Sequence, residues 1–375
     1  MNDLAPWFSL KSIPGVGNYT YKRLITAFGS AEAVFAAGRN QLLAVEGVTE
    51  AIAGHITGYR TPDTVYKNIE ICRQRHIRVI TLNAPRYPRL LGELPDPPPY
   101  LYVLGELEAD AACISIVGSR NPTGYGRSMA RELSRDLAGY GLRIVSGMAR
   151  GIDTAAHQGA LEAGGKTYAV LGSGLARIYP RENRMLAEKI AENGAVLSEF
   201  PVFAEPQAHH FPMRNRIISG MSMGTIVVEA ARKSGSLITA RLAAEQGREV
   251  FAVPGSIQSF KSTGTHGLLK QGARLIENAG DVLAEISHMV DIQTFSAPEK
   301  QMADDRPGIN STPGVDTDET LVLRTLDYYP VHIDDIVRKT GLEPGKTAGI
   351  LLQLELAGRI RQEPGKYFLL NEDAK

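Results

Sequence analysis

The chain has 375 residues, with 41 Lys+Arg balanced by 41 Asp+Glu and 43% apolar side chains, which asks for two or three domains and excludes a single small module. Its two cysteines, Cys72 and Cys113, form no C-x-x-C pair, so a thiolate zinc site, an iron-sulfur cluster and a disulfide framework all lack ligands. The opening MNDLAPWFSL has no basic stretch ahead of a long apolar one, and no apolar run of spanning length occurs, so a cytoplasmic protein without a membrane segment is expected.

The neutral total hides an uneven distribution. Counted along the chain, residues 1–112 carry 11 basic and 11 acidic side chains, 113–290 carry 20 and 15, 291–320 carry 2 and 7, and 321–375 carry 8 and 8. The middle is basic and the stretch after it acidic, so a nucleic-acid partner is not excluded by the sum.

Residues 1–80 read as an all-helical domain. SIPGVGNYTYKRLITAFGS and LLAVEGVTEAIAGHI each set a short Gly-containing turn before an amphipathic helical pattern, and the first resembles a helix-hairpin-helix. A turn such as Pro14-Gly15-Val16-Gly17 points backbone amides outward at a helix N-terminus, a geometry suited to a DNA phosphate. The same pattern serves a helical domain that contacts protein: the second turn, Glu46-Gly47-Val48, is acidic, and Lys22 and Arg23 are the nearby cations. Both readings stand. The Pro-rich LPDPPPYLYVLGELEAD is not helical, because each Pro lacks an amide proton and extends its predecessor. It marks the approach to a central domain over 81–290.

In that domain CISIVG, LRIVSG, TYAVLG, AVLSEF, TIVVEA and EVFAVPG alternate with helix-length segments, which predicts a parallel α/β sheet. Strands buried on both faces read as continuous apolar runs, and ligands of such sheets sit beyond the carboxyl ends of the strands. Gly118-Ser119-Arg120, Ser146-Gly147, Gly172-Ser173-Gly174 and Pro254-Gly255-Ser256 follow strand runs. Small residues admit close approach of backbone amides to phosphate oxygens. Arg120 follows the first strand and Arg150 the second, while Arg214, Asn215 and Arg216 of FPMRNR open a helix, each Arg offering a fork matched to phosphate. Ser234, Gly235, Ser236 and Thr239 open another. These thirteen residues, Gly118, Ser119, Arg120, Ser146, Gly147, Arg150, Arg214, Asn215, Arg216, Ser234, Gly235, Ser236 and Thr239, form the expected phosphate site.

No G-x-x-x-x-G-K-[ST] loop is present, and the first turn, G-S-R-N-P-T-G-Y-G, is too long for the dinucleotide fingerprint. Asp153 and His157, four apart at a helix start, could form an acid-base pair, but Asp153 is more simply a carboxylate opposing the helix dipole. His209-His210 lack further ligands at metal spacing. No catalytic residue, cofactor or metal is expected.

DIQTFSAPEKQMADDRPGINSTPGVDT, with three Pro and no apolar period, reads as a flexible acidic linker over 291–317. After it, three helical patterns and a hairpin over 318–375 read as a winged helix, with Ile333, Ile336 and Val337 on one face of the second helix and the wing turning at Glu363-Pro364-Gly365-Lys366. The helix that would enter a groove offers Lys346 as its cation beside Gln353 and Glu355, so groove reading is electrostatically weak and protein contact is at least as well served.

From Pro85-Arg-Tyr-Pro88 through IVGSRNPTGYG, SGMARGIDTAAHQGAL, GSGLARIYPRENRML, LSEFP, FPMRNRIISG, TIVVEAARKSGSLITARLA and VPGSIQSFKSTGTHGLLKQGA, the sequence resembles the DNA-processing protein A (DprA, or Smf) family. The flanking parts match longer members, which join a sterile-alpha-motif-like helical domain and a winged helix to a Rossmann-like core. The resemblance implies a non-enzymatic role in competence for natural transformation: binding and protecting incoming single-stranded DNA, loading RecA recombinase on it, and acting as a homodimer through the Rossmann-like domain. The same residues would then contact phosphates, with salt-sensitive affinity and little sequence preference. The rival class is a nucleotide phosphoribohydrolase of the lysine-decarboxylase-like group, whose P-G-G-x-G-T-x-x-E run finds only Gly224, Thr225 and Glu229 here.

Overall fold

The structure, a computed structural model, describes residues 4–289, 318–326 and 330–371. The expected linker over 291–317 therefore lies outside the described residues. Contacts divide the chain into two compact units, one holding 4–120 with 130–289 and the other 121–129 with 318–371.

Six short helices open the first unit: α1 (Ala5–Ser12), α2 (Asn18–Phe28), α3 (Ala31–Ala36), α4 (Arg39–Leu43), α5 (Glu50–Thr57) and α6 (Asp63–Gln74). The first five enclose a core of their own around Trp7, Leu10, Tyr21, Leu24 and Ile56, while α6 packs Val65 and Cys72 into the core beneath the sheet. Next come β1 (Arg78–Thr81), α7 (Arg89–Glu93), β2 (Tyr100–Gly105) and β3 (Cys113–Val117), then α8 (Gly124–Gly139), β4 (Arg143–Ser146), α9 (Ile152–Glu162) and β5 (Thr167–Val170). The alternation continues with α10 (Arg184–Asn193), β6 (Ala195–Ser198), α11 (His210–Gly220), β7 (Gly224–Val227), α12 (Ser236–Glu245) and β8 (Glu249–Ala252). It ends in α13 (Thr263–Lys270), β9 (Arg274–Leu275) and α14 (Ala279–Ile286).

The strands form one sheet in the order β1-β2-β6-β5-β4-β3-β7-β8-β9. Neighbours from β6 to β9 pair in parallel, while β2 runs antiparallel to both β1 and β6. The apolar runs place β3, β5, β6 and β7 wholly in the interior. Period-two alternation then sorts their side chains: Tyr168, Val170 and Leu197 join Ile217 of α11 and Ala240 of α12, while Ala169, Leu171 and Val196 join Ile190 of α10. The Pro-rich passage, expected only as an approach, supplies β2, whose Tyr100 and Tyr102 pack against Phe8 of α1 at ring separations of 4.7 and 5.9 Å. The N-terminal helices are thus bound to the sheet rather than set apart from it.

The second unit contains α15 (Asp318–Thr325), β10 (Val331–His332), α16 (Ile333–Thr340), α17 (Pro344–Leu356), β11 (Ile360–Glu363) and β12 (Tyr367–Leu370), with sheet order β10-β12-β11. Gly341 ends α16 in the left-handed region at φ 68°, a conformation that glycine adopts without a Cβ penalty. No described helix is long and apolar enough to cross a membrane.

Between α9 and β5 lies a buried polar tie. Thr167 donates its hydroxyl to the Ile144 carbonyl at 2.7 Å, so its oxygen can only accept from His157 Nδ1, 2.7 Å away. His157 is therefore a neutral imidazole with Nε2 unpartnered in the core, and burial followed by the nearby Arg214 charge pushes its pKa down to about 3. It forms no acid-base pair with Asp153, whose carboxylate accepts instead from the amides of Gly147 and Ala149. The folded value lies below the unfolded one, near 6.5. The stabilisation is therefore complete above about pH 6.5 and declines as pH falls towards 3, because only the unfolded chain takes up the proton. Urea titrations between neutral pH and pH 4 should show the His157→Asn chain losing stability less steeply than the parent, by up to about 1.4 kcal/mol per pH unit. Identical slopes would contradict this assignment.

Candidate nucleic-acid interface

The winding of the sheet locates a crevice. From β3 the chain steps outward through β4, β5 and β6, then returns to β7 on the other side of β3 and continues to β8 and β9. Loops leaving the carboxyl ends of β3 and β7 therefore diverge, and this reversal point is where open α/β sheets hold ligands.

Gly118 follows β3 where a Cβ would lie 2.7 Å from Ile152 and 3.0 Å from the Glu229 carbonyl, so only glycine permits the approach. Ser119 is half-buried and its carbonyl accepts from the Ile152 amide at 3.1 Å. Arg120 is exposed, with its guanidinium 5.7 Å from the Phe211 ring centroid, a cation over an aromatic face.

The next loop is held from beneath. Gly147 donates its amide to Asp153 at 3.1 Å, and its carbonyl accepts from Arg214 Nη1 at 2.6 Å. The same nitrogen donates to the Val170 carbonyl, so one guanidinium, 4% exposed, joins the ends of β4 and β5. Burial pushes Arg214 down to about 10, against the pull of Asp153, which leaves it protonated at neutral pH. Burial likewise raises Asp153, opposed by Arg214, by the two amides and by Arg120. Met148 between them sits at φ 60°, unusual for a side chain with a Cβ. Its carbonyl accepts from Asn183 Nδ2 at 2.9 Å, which helps to hold it there.

The structure thus divides the expected site residues. Gly118, Ser119 and Arg120 lie at the rim on the β3 loop, whereas Gly147 on the β4 loop is buried, with its amide and its carbonyl both engaged from within. Ser234, Gly235 and Ser236 open α12 beyond β7, with the Ser234 and Ser236 hydroxyls 2.8 Å apart. Thr239, one turn on, is buried at 2% exposure. Ser146 is fully buried and donates to the Ile116 carbonyl at 2.6 Å, tying β4 to β3, so it offers no hydroxyl to a ligand. Arg150 reaches the rim loop but is paired with Glu182 at 2.5 Å. Arg214 supports the rim from inside, and Asn215 accepts from its Nε at 3.2 Å.

Arg216 is engaged elsewhere. It pairs with half-buried Glu199, lies 3.6 Å from the Asp96 carboxylate and donates to the Asp96 carbonyl at 2.7 Å. Burial raises Glu199, while Arg216, Lys11 and Asn18 draw it back down, so this cluster joins the N-terminal helices to the core. Lys22 and Arg23, the cations near the helix-hairpin-helix turn, are also engaged: Lys22 donates to the Leu94 carbonyl at 2.6 Å and Arg23 pairs with Glu46 at 2.9 Å.

Two groups were not singled out from the sequence. Phe211, half-buried in the first turn of α11, touches the Gly172 position and lies between Arg120 and Arg214. An aromatic directly ahead of a cationic helix start was the available signal. Arg232 and Lys233 are exposed immediately before Ser234. Among the described residues, no cluster of His, Cys, Asp and Glu could hold a metal ion.

The family model for DNA recombination-mediator protein A matches residues 78–287, and that for the DprA winged helix domain matches 307–366. Protein Smf of Synechocystis is 36% identical over 390 residues, covering 97% of this chain and 98% of its own. The X-ray structure of DNA processing protein A from Streptococcus pneumoniae superposes with TM-score 0.66 at 34% identity, over 75% of this chain and 97% of that one. DNA processing protein A of Helicobacter pylori, a protein with a described single-stranded DNA binding mode, superposes with TM-score 0.51 at 33% identity, over 57% and 98%.

Replacing Arg214 by Ala leaves two carbonyls and a buried carboxyl group without their cation, which should cost about 3–5 kcal/mol of folding stability. Arg214→Lys should recover only part, since an ammonium lacks the fork. Denaturant unfolding of the two variants checks this, and a loss below about 1 kcal/mol for Arg214→Ala would make the side chain ligand-facing rather than a strut.

Proposed function

The chain belongs to the DNA recombination-mediator protein A (DprA/Smf) family, and from that premise we propose that it binds single-stranded DNA at the carboxyl rim of the sheet and loads RecA recombinase on it during natural transformation. One observation carries the DNA part: exposed Arg120 stands over half-buried Phe211 at the point where the winding reverses. Phosphate meets the guanidinium and the nearby Gly118 and Ser119, a base meets the ring, and neither contact reads sequence. In the proposal the rim is Gly118, Ser119, Arg120, Phe211, Ser234, Gly235 and Ser236, with Gly147 and its strut Arg214 beneath it.

Delivery to RecA and action as a homodimer through the Rossmann-like domain in the cytoplasm belong to the same proposal and rest on the family resemblance. The division into 1–80, 81–290, 291–317 and 318–375 is part of the proposal too and rests on the composition and patterning of the sequence. The proposal assigns no bond-breaking step to any residue. In the proposal the winged helix has the smaller share in DNA affinity, because Lys346, Arg338, Arg359 and Arg361 are paired with Asp318, Asp335, Glu319 and Glu363, which leaves Lys339 and Lys366 as exposed cations outside those pairs.

Arg120→Glu should weaken binding to single-stranded DNA at least tenfold, about 1.4 kcal/mol, with an unchanged melting temperature. Mobility shifts at two salt concentrations, run beside duplex of equal length, measure it. Unaltered affinity, or base release from nucleoside monophosphates that disappears in Glu229→Ala, would overturn the reading. A chain ending near residue 290 should bind within a few-fold of full length. A loss approaching a hundredfold, about 2.7 kcal/mol, in a chain that still folds would move essential contacts to the winged helix.

A further inference from the structure

We propose that single-stranded DNA leaving the rim continues into a second, neighbouring groove lined by Arg75, Arg177, Tyr179, Arg181 and Arg184. This rests on the reading that the rim itself takes single-stranded DNA. The groove has a volume of about 1020 Å³ and runs between α10, the end of β2 and the segment that leads from β5 to α10.

Its charge suits a polyanion. Four guanidiniums face two carboxylates: Arg177 pairs with Glu205 at 3.0 Å and Arg184 with Glu188 at 3.4 Å. Arg75 and Arg181 are exposed and have no carboxylate partner among the described residues. Two cations therefore remain to displace counterions from a bound strand.

The aromatic rings suit unpaired bases. Tyr179 is 47% exposed and its ring centroid lies 5.8 Å from that of Phe211, so the rim and the groove share a boundary. Beyond it Phe203 is 45% exposed, with the Arg75 guanidinium 5.0 Å from its ring. Arg120, Phe211, Tyr179, Arg181, Arg75 and Phe203 thus intersperse three cations with three rings, a composition that tracks a single strand by stacking bases and neutralising phosphates. A duplex has no free base faces to offer such rings.

The connecting segment is also held in place. Asn183, 7% exposed, donates to the Met148 carbonyl and to Thr154 Oγ1, each at 2.9 Å, and Glu182 pairs with Arg150 at 2.5 Å. Residues 179–183 are thereby fastened to the loop after β4, which belongs to the rim. A track whose parts are fixed before binding loses less entropy when the strand is ordered on it.

The test compares the intact chain, Arg75→Glu/Arg181→Glu and Arg120→Glu on oligothymidylates of about 6 and about 30 nucleotides. Both groove side chains are exposed and away from the core, so the double variant should melt with the parent. It should bind the short oligonucleotide within about twofold and the long one at least tenfold more weakly. Its dependence on log salt should be shallower by about 1.4, or 0.7 for each lost phosphate contact. Arg120→Glu should weaken both lengths. If the double variant binds the long strand like the parent while Arg120→Glu fails, the groove proposal falls and the rim stands. If neither variant matters, the rim reading falls and the groove with it. Equal losses at both lengths would mean that the substitutions act through the rim, which also overturns the groove. Tyr179→Ala supplies an uncharged check and should weaken the long strand selectively.

Discussion

The buried guanidinium of Arg214 is the interaction on which the candidate site depends. Parallel strands end with carbonyls pointing into the next loop, and at β4 and β5 those of Gly147 and Val170 are both buried away from water. A buried carbonyl without a donor costs of the order of 1–3 kcal/mol. Arg214 satisfies both, and Asp153 gathers the amides of Gly147 and Ala149 beside it. Gly147 must be glycine because a Cβ would lie 2.5 Å from the guanidinium. The β4 loop is therefore shaped from inside, with its outer surface left for a ligand.

A second buried charge performs a different task with the same chemistry. Arg216 sits two residues further along α11 and faces Glu199 and Asp96, within the cluster that includes Lys11 and Asn18 from the N-terminal helices. One helix thus carries both the strut under the rim and the tie that seats the N-terminal helices on the sheet. Phe8 against Tyr100 and Tyr102 completes that seating with apolar area. The two contacts explain why the helices form one compact unit with the sheet. At the Pro14-Gly15-Val16-Gly17 turn of these helices, the nearby cations Lys22 and Arg23 are both engaged.

With the buried arginines committed, the outward chemistry of this edge falls to a few exposed groups. Arg120 supplies charge at the β3 end, Arg232 and Lys233 at the β7 end, and Phe211 and Tyr179 supply rings. The arrangement is sparse and sequence-blind, which agrees with a strand held by backbone and base faces. The winged helix differs in that Lys346, Arg338, Arg359 and Arg361 are paired with carboxylates, while Lys339 and Lys366 are exposed outside those pairs.

Much of this was legible in the sequence because it depends on neighbours along the chain. The apolar runs from CISIV to EVFA became β3 to β8, since a strand covered on both faces needs no polar alternation. Gly341 ended α16 and the Pro364-Gly365 turn joined β11 to β12, as local backbone chemistry requires. The rim glycines and Arg120 were found at the strand ends where ligands of such sheets collect. What the sequence left open was which polar side chains face outward. Arg120, Arg214 and Arg216 are chemically alike and all follow the Gly/Ser or helix-start pattern. Yet Arg214 reaches a carbonyl 67 residues away and Arg216 one 120 residues away. Ser146 looked like a donor to phosphate and instead bonds Ile116 across 30 residues, and His157 faces Thr167 rather than Asp153. Periodicity reports the neighbours a residue has along its own element. The partner that neutralises a buried donor is set by how distant elements pack, and only the tertiary structure decided that.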